Sequence, residues 1–389
     1  MTLPSLHTLS SPGGPRLTGD HSGATGVAKQ SPEDFVVEEI PLYAPTGEGE
    51  HLWIVIRKRD MTTPYLARRL SREFGISIRD IGYAGRKDRQ AVTTQAMTLR
   101  GADPERAGKI AIDGLEILEV TRHQRRIRRG HLKCNRFRLR VRQVDPTLAA
   151  HARRSATILS ERGLPNYFGP QRFGRSGTNA TIGAHLLLNH PEPAAELLLS
   201  GSASTRSVRR MRHCLDRGGS FEKAVSLLSR DEQRLYLESL QSALFNRCLA
   251  QRLPTFDQVE KGDLAWIHQK GAVFIVENPL VESPRAQRFE ISPSGPIFGS
   301  KMTPAQESAG ELEANVLRAT LGPEVTTATW RSTRLRGARR PYRVPIQNLE
   351  VRYEEPTGIL QTAFSLPPGS YATGVLRELL GNDEFLPTP

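Results

Sequence analysis

Toward the N-terminus, apolar positions fall in short alternating runs interrupted by one helical repeat. PEDFVVEEI (32–40) and HLWIVIRK (51–58) are β-branched and partly alternating, which predicts strands. Leu66, Leu70 and Phe74 then recur four apart, predicting a helix that Thr63 caps, with Pro64 at its first position and Gly75 at its stop. A short strand ending near Tyr83 and another over about 91–99 leave Asp88, in GYAGRKDRQAVTTQ, on a loop. NRFRLRVR sets Phe137, Leu139 and Val141 against Arg136, Arg138, Arg140 and Arg142, a strand with one apolar and one basic face.

A helix is expected from Asp145 and Pro146 to about Arg162, followed by the aromatic, glycine-rich NYFGPQRFGRSG, where a domain boundary is placed. From Thr178 to about Arg252 the pattern is mainly helical, with Leu240, Leu244 and Leu249 on an apolar face. A strand at AVFIVE and a helix from about Pro304 to Leu321 come next. Strand-like sequence resumes at LEVRYEE and GILQTAFSL, so a scaffold begun near the N-terminus is completed here.

At 389 residues the chain exceeds one ordinary core, and roughly 150 residues per domain implies two or three. No apolar run approaches the roughly 20 residues of a membrane helix. Lys and Arg number 54 against 41 Asp and Glu, and the resulting +13 favours a polyanionic partner. No basic amphipathic helix with large apolar anchors directs that charge to a membrane. Cys134, Cys214 and Cys248 form no CxxC pair, and the first twenty or so residues lack a signal peptide's apolar segment, so a reducing cytoplasm is expected. Without HExxH or a second ligand pair near His213 and Cys214, no metal site is expected. Neither GxxxxGK[ST] nor a strand-to-helix GxGxxG is present to cradle a nucleotide.

Two segments concentrate the charge. Thr121–Gln143 holds ten Lys or Arg and no acid, and 331–343 holds six Arg and no acid. With interleaved aromatics this composition suits RNA, where cations meet phosphates and rings stack on exposed bases. A carboxylate there needs nearby cations, and Arg86, Lys87 and Arg89 flank Asp88. Ionised Asp is a competent nucleophile at an anomeric carbon, although an Asp in a turn more often caps backbone.

GRKDRQAVTTQ resembles the signature of the TruD family of tRNA pseudouridine synthases. KQSPEDFVVEEI, GHLKCNRFRLRVR, NYFGPQRFGRSGTN, LQSALFNRCLAQR, GARRPYR and LPPGSYATGVLREL resemble further family motifs in the family's order, so the likeness runs from about Lys29 to Leu379. It implies isomerisation of uridine to pseudouridine in tRNA, typically at position 13, without cofactor or metal, on a base flipped out of its stack. It makes Asp88 the catalytic acid, attacking C1′ directly or assisting a glycal. Phe35, Asn135 and Tyr371, where the family commonly has Phe, would contact the flipped uridine with Phe137 near them. Lys29 would hold phosphate or orient Asp88, and Arg86, Lys87, Arg339 and Arg340 would meet the RNA backbone. Plain alternatives stand beside these roles: Phe35 and Phe137 as core rings, Asn135 bonded to its own backbone, Lys29 solvated, Arg339 and Arg340 in local ion pairs.

The expected fold is α+β: a catalytic domain with a mainly antiparallel mixed sheet drawn from both chain ends, interrupted by an inserted TRUD domain. The expected boundaries are a flexible tail over 1–25, catalytic parts over 26–160 and 339–389, and the insertion over 161–338, with RNA across a basic cleft. A monomer is favoured. A non-catalytic RNA-binding protein and a nucleoside or glycoside hydrolase are the rival functions.

Overall fold

The computed structural model describes residues 9, 14–21, 26–201, 205–383 and 385. It comprises two compact units, one formed by Thr18–Gly163 with Pro345–Pro387 and the other built on Leu164–Val344. Of the expected N-terminal tail, 1–8, 10–13 and 22–25 lie outside the described residues. Within them, the Thr18 hydroxyl donates to the Glu378 carbonyl at 2.7 Å and the His21 amide to Gly381 at 3.0 Å.

The first unit holds a nine-stranded sheet. Its longer strands are β1 (Phe35–Pro41), β2 (His51–Arg59), β3 (Ile81–Tyr83), β4 (Val92–Arg100), β5 (Leu115–His123), β6 (Leu132–Arg142), β7 (Gln347–Glu354) and β8 (Ile359–Leu366). The order is β7-β8-β6-β1-β4-β2-β5, with β3 added to β4 and Val27–Ala28 to β6. β1 and β4 pair in parallel; the other pairings described are antiparallel. β8 brings the C-terminal segment against β6, aligning Phe364 with Phe137 and Leu366 with Asn135. β5 was not anticipated. It is an edge strand whose residues are mostly exposed, so burial leaves little mark on its sequence.

Helix α1 (Thr63–Phe74) ends as expected at Gly75, in the left-handed conformation with φ 68°. Its cap is Thr62, one residue before the expected Thr63, and accepts the Tyr65 amide at 3.3 Å. The reassignment frees Thr63 for another task. Leu66, Leu70 and Phe74 are buried with Leu52, Ile54, Ile56, Met97 and Leu99, each worth roughly 1.5–3 kcal/mol of burial. On β2 the alternation Leu52, Ile54, Ile56 continues to Lys58, so the pleat carries a lysine into the same buried face. Helices α2 (Pro146–Arg162), capped by Asp145, and α3 (Ala372–Leu380) complete the unit's main elements.

The second unit is mainly helical around the Arg230–Arg252 helix, whose Leu240, Leu244, Phe245 and Leu249 pack with Trp330 and Tyr342. A four-stranded sheet lies within it. Its strand Ile291–Ile297 reads ISPSGPI, a poor strand by composition, yet Gly295 belongs there: a Cβ would collide with the Tyr342 ring. The helix expected from Pro304 begins at Glu307. Mixed helix and mainly antiparallel sheet make the fold α+β, as the sequence implied.

Candidate active site

The loop between β3 and β4 carries Asp88 and is fastened to its surroundings along most of its length. The Ala84 carbonyl accepts the Gly130 amide at 2.9 Å. Thr63, wholly buried, accepts the Lys87 amide at 3.0 Å and donates to Gln95 Oε1 at 2.9 Å. Lys58 Nζ donates to the Asp88 carbonyl at 3.1 Å and to that of Met61. Gln90 Nε2 reaches the Lys29 carbonyl at 3.2 Å, latching the loop to the neighbouring segment. Gly82, at the loop's approach, has no room for a side chain because a Cβ would meet the Ile127 carbonyl.

While its backbone is held, the Asp88 side chain remains 49% exposed. That exposure decides its availability to a substrate. Lys29 Nζ stands 3.8 Å from Oδ2 and 3.8 Å from the Phe35 ring centroid, an ammonium placed between a carboxylate and an aromatic face. Burial lowers the Lys29 pKa, and the Asp88 charge opposes that shift. Lys29 has φ 56°, a strained value for a residue with a Cβ, of order 1–3 kcal/mol, retained where surroundings over-determine it.

The cations flanking Asp88 in sequence turn elsewhere, which corrects the expectation that they mask its charge. Lys87 points inward to Glu39 Oε2 at 2.7 Å and Asn135 Oδ1 at 2.6 Å, its side chain 6% exposed. It is therefore not offered to an RNA backbone. Arg89 lies 3.4 Å from Asp60, and Arg86 is exposed. The charge near Asp88 comes from Lys29, upstream of β1, and from Lys58 on β2. Burial lowers the Lys58 pKa to about 8, with Asp88 pulling it up and Lys87 pushing it further down. Burial raises the Glu39 pKa, against the pull of Lys87.

Phe35 is 2% and Phe137 7% exposed, so neither ring offers a stacking face. Phe35 meets Phe137 edge-on at 6.2 Å, and Phe137 stacks on Phe364 at 5.3 Å. The three form a floor. Asn135 is half-buried on β6, opposite Glu39; with Oδ1 taken by Lys87, its amide nitrogen is the end left to donate. Tyr371, just before α3, is exposed, and no printed contact among the described residues ties it to the Asp88 cluster.

Arg339 and Arg340 belong to the second unit, where the expectation of backbone contacts meets architecture instead. Arg339 is buried in a fork on Glu313 at 2.6 and 2.9 Å. Arg340 lies 4.2 Å over the Phe168 ring and donates to Asn166. Sequence reasoning missed Lys58, Glu39 and the Thr63–Gln95 clamp. The inward phase of β2 was the available signal for Lys58, and the second acid of FVVEEI for Glu39; nothing local marked Thr63 beyond its candidacy as a cap. Among the described residues no three His, Cys, Asp or Glu side chains converge as a metal site, and no helix is long and apolar enough to cross a membrane.

A rigid loop presenting one carboxylate beside a buried ammonium, on a chain of net charge +13, defines an enzyme site built for a polyanionic substrate. The chain belongs to the TruD family: the model for tRNA pseudouridine synthase D matches residues 13–215 and 202–379. It is 41% identical to tRNA pseudouridine synthase D of Geobacter sulfurreducens, covering 94% of this chain and 96% of that protein. It is also 40% identical to the Anaeromyxobacter dehalogenans protein of that name, over 96% and 98% of the two chains. A crystal structure of the putative tRNA pseudouridine synthase D from Methanosarcina mazei shares the fold, with TM-score 0.81 at 23% identity over 99% of this chain and all of that one.

Proposed function

We propose that this protein is a cytoplasmic tRNA pseudouridine synthase that isomerises uridine, at position 13, with Asp88 as its catalytic carboxylate. The observation that carries the assignment of Asp88 is a side chain left half-exposed on a loop whose backbone is pinned by Lys58 and Thr63. Preorganisation of this kind lets binding place a sugar against the carboxylate without reordering the loop.

The reaction is an isomerisation, so it balances without an external oxidant or reductant. The bond from N1 to C1′ breaks, C5 bonds to C1′, the C5 hydrogen leaves as a proton, and N1 gains one. Asp88 begins ionised and either attacks C1′, detaching the base, or removes the proton on C2′ to give a glycal. In both routes Lys29 balances the carboxylate before reaction and orients it. The Asn135 amide nitrogen, fixed by the hold of Lys87 on its oxygen, donates to a uracil carbonyl and keeps the detached base in place while it turns. Lys58 is a positioning residue, acting through the backbone of Asp88. Tyr371, with its ring exposed, supplies a surface on which a flipped base can stack.

Incubating the protein with tRNA and mapping pseudouridine tests the proposal. Conversion at position 13 is the expected result. Free uracil would instead indicate a hydrolase, and binding without either product a non-catalytic module.

A further inference from the structure

The second unit contains an open groove of about 1460 Å³ that the catalytic chemistry does not use. Its walls come from the Arg206–Asp216 helix, the start of the Arg230–Arg252 helix and the segment 332–338. Six arginines line it: Arg206, Arg210, Arg230, Arg234, Arg334 and Arg336. All six are exposed. Two carboxylates share the lining, Asp231 and Glu238, and Glu238 is engaged by Arg234 at 2.8 Å and Arg172 at 3.2 Å. Arg206, Arg210, Arg230, Arg334 and Arg336 have no carboxylate partner among the described residues.

The walls are built rather than incidental. Glu232 accepts hydrogen bonds from Thr205 Oγ1 at 3.1 Å and Ser207 Oγ at 2.6 Å on one helix, and from the Ser229 amide at 2.9 Å on the other. One carboxylate thus ties the two helix starts together. Arg206 and Arg210, like Arg230 and Arg234, are one turn apart, so each helix presents a pair of guanidinium groups roughly 6 Å apart along its axis. On the third wall the buried Leu335 anchors the segment, while the Ser300 and Lys301 amides donate to the carbonyls of Leu335 and Arg336, leaving the flanking arginines outward.

We propose that this groove is a second RNA-binding site, one that grips the sugar-phosphate backbone of a duplex without reading its bases. Four observations select that ligand. The pairs of guanidinium groups are spaced like successive phosphates along a strand, and Arg meets phosphate through paired donors. The described lining holds no Phe, Tyr, Trp or His, so no platform exists for the stacked bases of a single strand. The same lack of an aromatic anchor distinguishes it from a protein-docking surface. Its volume exceeds the usual range for a small-molecule pocket, roughly 300–1,000 Å³.

The proposal depends on tRNA being the substrate only where turnover is measured; binding tests it separately. The full-length protein and its Arg206→Gln/Arg230→Gln/Arg334→Gln variant are titrated with a uridine-free G·C RNA duplex over a range of salt. The variant should bind at least tenfold more weakly, with its log-log salt slope shallower by about 2. On tRNA its KM should rise while kcat at saturation stays unchanged. Circular dichroism should show an unaltered melt, since these side chains hold no structure together, and the Asp88→Asn protein should bind the duplex like the parent whatever its turnover. Unchanged affinity and slope in the triple variant would overturn the proposal. So would a polyglutamate peptide of matched charge binding the parent as tightly as the duplex, or a fall in kcat without a rise in KM.

Discussion

Lys58 and Asp88 meet through a main-chain carbonyl, so removing the lysine disturbs the loop that aims the carboxylate while leaving the carboxylate itself untouched. In Lys58→Met, relief of a buried charge offsets loss of two carbonyl partners, and the change in thermal midpoint should stay within a few degrees. Its kcat should nevertheless fall at least tenfold. The charge state adds a second readout. A lysine whose pKa is lowered to about 8 is protonated below that pH and neutral above it, so kcat should decline as pH rises through about 8. Lys58→Met should lack that alkaline limb; a limb that persists in it belongs to another group, such as Lys29. Lys87→Met presents the opposite balance, because it strands Glu39 in a site where burial already favours the neutral acid. Breaking such a pair costs roughly 3–5 kcal/mol. Chemical denaturation of Lys87→Met should show a loss of that order, and a loss below 1 kcal/mol would mean that the pair contributes little.

At the scale of elements, β2 and α1 do the positioning. The inward face of β2 runs from apolar core to Lys58 without a break in its alternation, and α1 covers that face and places Thr63 against the loop. Leu70→Ala should therefore destabilise the first unit by about 2–5 kcal/mol, read by denaturant titration, with a smaller effect on activity at low temperature. These same elements show what the sequence made legible. Period-two alternation and the punctuation around α1 located the strands, the helix and the loop, because burial on one face leaves a local pattern. Side-chain partners across strands leave none. Lys87 looked like a neighbour of Asp88 and is instead a partner of Glu39 and Asn135, joined by the pairing of β1 with β6. The arginines of GARRPYR similarly looked available to phosphate, but Arg339 is consumed by Glu313, far away in sequence. Residue order alone could not give either result.

Across the whole molecule the excess of 13 positive charges acts at long range and is not spent equally. On β6, Arg136 and Arg142 are paired with Glu38 and Asp34, whereas Arg138 and Arg140 are exposed. Binding of tRNA should weaken linearly in log-log form as salt rises, because released counterions drive it, and fluorescence anisotropy across about 50–200 mM salt checks this. Affinity indifferent to salt would contradict phosphate recognition. The motif series identified the family and the catalytic loop from sequence, while the cations that serve that loop emerged only from the fold.

The most direct measurement is a single-turnover assay of Asp88→Asn with tRNA at saturating enzyme, following pseudouridine formation and complex formation in one sample. This nearly isosteric change removes the negative charge and leaves the backbone anchors in place, so the account predicts a tRNA affinity within a few-fold of the parent and no detectable pseudouridine. Product formed at a substantial fraction of the parental rate would contradict it.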